Sequence, residues 1–134
     1  MTEEEQLRSF LAAEQKDAAE YTRLARHTSS VQARRLFLKL AAEEREHAKR
    51  LRSMVYLLGQ GGGLSSSTPD GRDKDEKTLQ VLRRRFAEEE KRAKDYLSAA
   101  GSAQNARLQK LYAELAEAEQ RHGNALMALL KGLM

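Results

Sequence analysis

The sequence contains no cysteine. That absence excludes disulfides, zinc–thiolate sites, iron–sulfur clusters and thiol nucleophiles. Tryptophan is also absent, proline occurs once, at Pro69, and aromatic residues make up only 5% of the chain. What is abundant instead is Ala, Leu, Glu, Lys and Arg, a profile that favours helix over sheet. No apolar run approaches the roughly 18 residues that a membrane-spanning helix needs. The opening "MTEEEQLRSF" is acidic and carries no apolar segment of signal-peptide type. A cytoplasmic protein that does not enter a membrane is therefore expected. The net charge of +4 is the balance of 24 basic and 20 acidic residues distributed together. Such a mixture does not call for a nucleic-acid partner.

With 134 residues the chain is long enough for one domain with one core. Four helical segments can be marked. The first starts at Thr2, with Glu5 three residues on as in a capping box. It carries Leu7, Phe10, Leu11, Glu14, Ala18, Tyr21 and Ala25 on one face and ends near His27. Thr28 to Ser30 supply a break and an N-cap hydroxyl. The second helix spans about Val31 to Leu58. The stretch "GQGGGLSSSTPDG", Gly59 to Gly71, then interrupts all periodicity and reads as a flexible connection. The third helix begins within "DKDEKTLQ" and carries Leu79, Leu82, Phe86, Glu89, Ala93, Tyr96 and Ala100. Gly101 and Ser102 are expected to end it and cap the next. The fourth carries Leu108, Leu111, Tyr112, Leu115, Glu119, His122, Leu126, Leu129, Leu130 and Leu133.

The second pair of helices repeats the first at an offset of about 75 residues. Leu7 matches Leu82, Glu14 matches Glu89, Ala18 matches Ala93 and Tyr21 matches Tyr96. Leu36 matches Leu111, Glu44 matches Glu119, His47 matches His122 and Leu51 matches Leu126. A bias toward Ala and Leu does not explain Glu, Tyr and His recurring at apolar-face positions. A helical hairpin written twice does. The expected organisation is hairpin one over about 2–58, a linker over about 59–74 and hairpin two over about 75–134.

Residues at i and i+3 share a helix face, so Glu44 and His47 point the same way, as do Glu119 and His122. Glu14 and Glu44 each stand 15 residues from Ser29, hence at one height, roughly 22 Å from the turn. Glu89 and Glu119 are nearly level about Asn105. Each hairpin thus offers two carboxylates and one imidazole at one level of an otherwise apolar face. Buried ionised carboxylates cost several kcal/mol each without compensation. No Lys or Arg is expected on the stripes at that level. Two divalent metals would neutralise four carboxylates, and a mixed oxygen and imidazole donor set suits iron or manganese with positions left open.

A Glu from each of two helices plus Glu-x-x-His from each of the other two is the donor pattern of di-iron carboxylate bundles. In "AAEQKDAAEYTRLA", "AAEEREHAKRL" and "LAEAEQRH" the chain resembles the rubrerythrin family of the ferritin-like superfamily over essentially its whole length. The resemblance implies an all-α, ferritin-like four-helix bundle. It also implies a metal site in which Glu44 and Glu119 bridge, Glu14 and His47 complete one ion, and Glu89 and His122 complete the other. Tyr21 and Tyr96 would stand behind the ligand carboxylates. Two departures go with it. The cysteine-rich rubredoxin domain common in that family has no counterpart, so electrons come from an external donor such as a rubredoxin-like protein or a reductase. Where the family carries an extra ligand Glu three residues after the first one on the third helix, this chain has Arg92.

The expected function is a di-iron oxidoreductase acting on hydrogen peroxide or dioxygen in the context of oxidative stress, with manganese or a mixed pair as variants of the two irons. A ferroxidase or iron-storage protein and a metal-free helical scaffold or interaction module are the alternatives. A homodimer is expected, with hairpins exchanged between chains as one form of it. Phe37 and Tyr112 read as core. His27, without a repeat partner and near a helix C-terminus, reads as surface. Asp17, Glu20, Asp95 and the run "LRRRF", Leu82 to Phe86, read as solvated faces.

Overall fold

The computed structural model describes residues 2–58 and 77–134. Four helices account for nearly all of them: α1 Glu3–His27, α2 Val31–Leu58, α3 Thr78–Ser102 and α4 Ala106–Leu133. No strand occurs among the described residues. The expected linker and the approach to α3 lie outside them. No helix of the described chain is long and apolar enough to cross a membrane. The chain divides into two compact units, α1 packing on α2 in one and α3 on α4 in the other.

The duplication extends to the helix ends. Adding 75 to the limits of α1 and α2 gives the limits of α3 and α4, so the helices run 25, 28, 25 and 28 residues. α1 opens with the expected capping box. The Thr2 hydroxyl accepts from the Glu5 amide at 3.1 Å and the Glu5 carboxylate accepts from the Thr2 amide at 3.4 Å. Glu3, Glu4 and Glu5 occupy the first turn, where the helix dipole favours negative charge.

Both hairpin turns are three residues long and are clamped alike by different residue types. In the first, the Ser30 hydroxyl accepts from the Ala33 amide at 3.1 Å. Arg34 reaches back, donating to the carbonyl of Thr28 at 3.0 Å. In the second, Asn105 Oδ1 accepts from the amides of Arg107 at 2.9 Å and Leu108 at 3.3 Å. Gln109 donates to the carbonyl of Ala103 at 2.6 Å. Ser30 and Asn105, like Arg34 and Gln109, are repeat mates whose identity differs and whose task does not.

The cap of α4 is therefore Asn105, and the expectation of Gly101 and Ser102 is corrected. α3 runs through both, and the Ser102 hydroxyl donates to the Ser98 carbonyl of its own helix at 3.2 Å. A hydroxyl turned back onto the preceding turn cannot cap the following helix. Asn105→Ala should cost about 1 kcal/mol, whereas Ser102→Ala should stay within about 0.5 kcal/mol of the parent. Urea denaturation of the two variants checks this.

The apolar stripes are buried much as their spacing predicts. Leu7, Leu11, Ala18, Tyr21, Phe37, Leu40, Ala41 and Leu51 are buried in the first unit, and Leu82, Ala93, Tyr96, Leu108, Tyr112, Leu115 and Leu126 in the second. Phe10, Leu36, Leu79, Phe86, Ala100, Leu129 and Leu133 are only partly covered. Tyr21 stacks on Phe37 and Tyr96 on Tyr112, each pair with ring centroids 6.0 Å apart. His27 is exposed, as expected.

Two residues assigned to solvated faces are buried instead. Asp17 is 7% exposed and Arg85, within "LRRRF", is 2% exposed. Asp17 lies three residues after Glu14 and four before Tyr21. Arg85 lies three after Leu82 and four before Glu89. Helical spacing puts both on the buried stripes, and polarity alone does not move a residue off a face.

Candidate metal centre

Glu14 on α1 and Glu44 and His47 on α2 are all buried, as are Glu89 on α3 and Glu119 and His122 on α4. These six are the residues that spacing placed on the inner faces. Within each unit the three side chains converge. His47 Nδ1 lies 3.8 Å from a Glu14 oxygen and 4.0 Å from a Glu44 oxygen. His122 Nδ1 lies 3.8 Å from a Glu89 oxygen and 3.9 Å from a Glu119 oxygen. The repeat thus extends to within 0.1 Å at the level of single atoms. In each triad the three residues offer one ligand atom apiece within 4.8 Å of one another.

Separations of 3.8 to 4.0 Å are too long for hydrogen bonds and suit a cation between the atoms. Metal–ligand bonds of about 2.1 Å leave ligands about 3 to 4 Å apart. Two carboxylate oxygens and one imidazole nitrogen are also the donors that iron and manganese accept. The residues fit a metal ion by chemistry and by spacing.

The two triads differ in one respect that the sequence reading missed. It expected no Arg or Lys on the stripes at the level of the carboxylates. Arg85, one turn before Glu89, contradicts that. Its Nη2 donates to Glu89 Oε1 at 3.1 Å, and its Nη1 donates to the carboxylate of Glu88. Burial by itself would push the Glu89 carboxyl up. The neighbouring Glu119 and His122 side chains and the Arg85 guanidinium outweigh burial and hold it well below the usual carboxylate range. The signal that could have revealed Arg85 is its repeat mate, Phe10, which the apolar pattern of α1 already placed on the stripe. Tyr21 and Tyr96 follow Glu14 and Glu89 by seven residues, about 10 Å further along each helix, where their rings are fully buried.

Buried carboxylate–carboxylate–imidazole triads on duplicated helical hairpins define a class of all-α proteins able to hold metal ions. Comparison with known families narrows the class. The Rubrerythrin family profile matches residues 5–130, nearly the whole chain. The chain belongs to that family, and with four helices and no described strand its fold class is the ferritin-like four-helix bundle. No curated protein and no solved structure matches it.

Proposed function

We propose that the protein is a non-haem di-iron oxidoreductase that reduces hydrogen peroxide, or dioxygen, with electrons from an external protein donor. The observation that carries this reading is the pair of equivalent triads, Glu14–Glu44–His47 and Glu89–Glu119–His122, buried in a chain of the Rubrerythrin family. Glu44 and Glu119 would bridge two irons, with Glu14 and His47 completing one ion and Glu89 and His122 the other. Bound as ferrous ions, the pair would supply two electrons, one from each, which with two protons reduce hydrogen peroxide to two waters.

The protein's own groups have three tasks in this scheme. The four carboxylates balance the charge of two divalent ions. The imidazoles present Nδ1, the atom facing the carboxylates in each unit, and so give each ion a neutral donor beside two anionic ones. Burial of the triads keeps bulk water from competing for the ions and strengthens every charge interaction within them. Six side-chain donors would not saturate two such ions, which would leave room for a small oxidant.

Anaerobic loading with Fe(II) should give about two irons per chain. Stopped-flow mixing should then show oxidation by hydrogen peroxide faster than by dioxygen. Faster reaction with dioxygen, together with accumulation of hundreds of irons in a large assembly, would favour the ferroxidase reading. Retention of no more than trace metal would sink both.

A further inference from the structure

An open groove of about 490 Å³ runs along the seam of α1 and α2. Its floor is small and apolar, with Ala18 and Ala48 buried in it. Its rim is cationic. Arg45, Lys49 and Arg52 stand at i, i+4 and i+7 of α2, on one face over about 10 Å of helix. All three are exposed. Arg45 reaches across to α1 and donates to the Thr22 hydroxyl at 3.5 Å. Among the described residues no acidic side chain lines the groove, and none of these three cations pairs with a carboxylate. Other surface cations do pair, as Arg8 with Glu4 and Lys91 with Asp95.

The duplication shows that a hairpin of this kind does not need the three charges. At the matching places, 75 residues on, α4 carries Gln120, Asn124 and Met127. On α3 the mates of Gln15 and Ala19 are Glu90 and Lys94, which pair with each other at 3.5 Å. The groove residues of the first hairpin therefore sum to +3, and their mates sum to zero. Like charges three and four residues apart on a helix repel. Within the first hairpin that repulsion has no return, and an acidic surface laid on the groove would return it.

We propose that this groove is where the external electron donor docks, and that the donor is a protein with an acidic surface around its redox centre. This rests on the di-iron reading, which leaves the ions to be re-reduced from outside the chain. Two electrons return two Fe(III) to two Fe(II), the donor is oxidised by the same two electrons, and no bond of the chain is made or broken. The groove adjoins the ligands covalently. Gln15 follows Glu14, Arg45 follows Glu44 and Ala48 follows His47. Electrons entering there reach each ligand of the α1–α2 triad through its neighbouring residue. Exposed cations on an open rim suit a broad acidic surface, whereas a small ligand is held in an enclosing pocket by converging polar groups. They also speed the approach of an oppositely charged partner.

Two acidic carriers, a rubredoxin and a flavodoxin, are the probes, titrated calorimetrically into the metal-free full chain. At least one should bind at about 0.05 M salt, and about tenfold or more weakly at about 0.5 M. Arg45→Gln with Lys49→Asn and Arg52→Met copies the second hairpin. An exposed ion pair is worth about 1.4-fold to fivefold in affinity, so losing three should weaken binding by about tenfold or more. Arg26→Gln with Arg35→Gln and Lys39→Gln removes as much charge from exposed positions nearer the turn. That change should weaken binding by less than about threefold, because screening confines each charge to its own neighbourhood. In the Fe-loaded chain, the carrier concentration giving half-maximal re-reduction should rise in the groove variant by the factor seen in binding. Binding of neither carrier, an unweakened groove variant, or equal weakening by the two triple variants would each overturn the inference. So would groove-dependent binding of inorganic tripolyphosphate without either carrier, or loss of a dimer in the groove variant, which would assign the face to a small anion or to a second copy. Failure of the natural chain to retain Fe(II) would overturn the di-iron reading and the donor's role with it, a result read from metal analysis and separate from the titration.

Discussion

Removing the metal ions lowers the midpoint of thermal unfolding by about 15 °C. The expectation follows from linkage. An ion that binds only the folded chain, present at a hundredfold excess over its dissociation constant, adds about 2.7 kcal/mol. Two such ions add about 5 kcal/mol, and for a chain of this length each kcal/mol moves the midpoint by roughly 3 to 4 °C. The structural cause is the pair of triads. Glu14, Glu44, Glu89 and Glu119 are 0 to 1% exposed, so their charges are screened by neighbouring groups and not by water. The α3–α4 unit keeps a cation at Glu89 whether or not metal is present, because Arg85 belongs to the fold. The corresponding position before Glu14 is apolar. Differential scanning calorimetry under anaerobic conditions, with Fe(II) and then with chelator, measures the shift. An unchanged midpoint would support the metal-free scaffold instead.

Glu44→Gln separates a ligand from a packing residue by the signs of two effects. The amide keeps the shape of the carboxylate, removes its charge and weakens it as a donor to a metal ion. In the metal-free chain the substitution relieves repulsion between Glu14 and Glu44, both close to His47 Nδ1. Stability should therefore rise, by about 1 kcal/mol. In the metal-loaded chain it should fall, because affinity drops by more than about a hundredfold. Losing a group that merely orients a ligand already costs 10 to 100-fold, and a direct ligand costs more. If Glu44 bridges two ions, both are weakened, whereas Glu14→Gln weakens one. Glu119→Gln should mirror Glu44→Gln in the second hairpin. Metal analysis after dialysis, paired with urea denaturation of the metal-free form, gives both signs. A fall in stability in both states would show that Glu44 is held there for packing.

The candidate ligands were legible in the sequence because their signal is local and repeated. Glu and His three residues apart share a helix face whatever surrounds the helix. Glu14 and Glu44 are level because each lies 15 residues from Ser29, and helical rise does not depend on packing. Burial of charged groups was less legible. Asp17 and Arg85 look like surface residues by type, and the contacts that permit their burial are set by neighbours in the fold. For Arg85 those neighbours are Glu88 and Glu89, which turn a guanidinium into an internal counterion. The cap of α4 was missed for a related reason. Ser102 and Asn105 are both acceptable caps by composition, and only the course of the backbone decides which side chain meets the free amides.

Taken alone, the amino-acid order determined that the chain is helical, that it is a duplicated hairpin, and that six ligand-type side chains lie on the apolar faces. Each of these depends on spacing within one helix or on likeness between two segments. Tertiary structure decided that His47 and His122 turn Nδ1 toward their carboxylates at matching distances. It also decided that Arg85 turns inward and donates to Glu89 of the second triad. Those outcomes depend on which atoms meet across a helix pair and how little water reaches them. Periodicity places a side chain on a face; packing and charge compensation fix what it touches there.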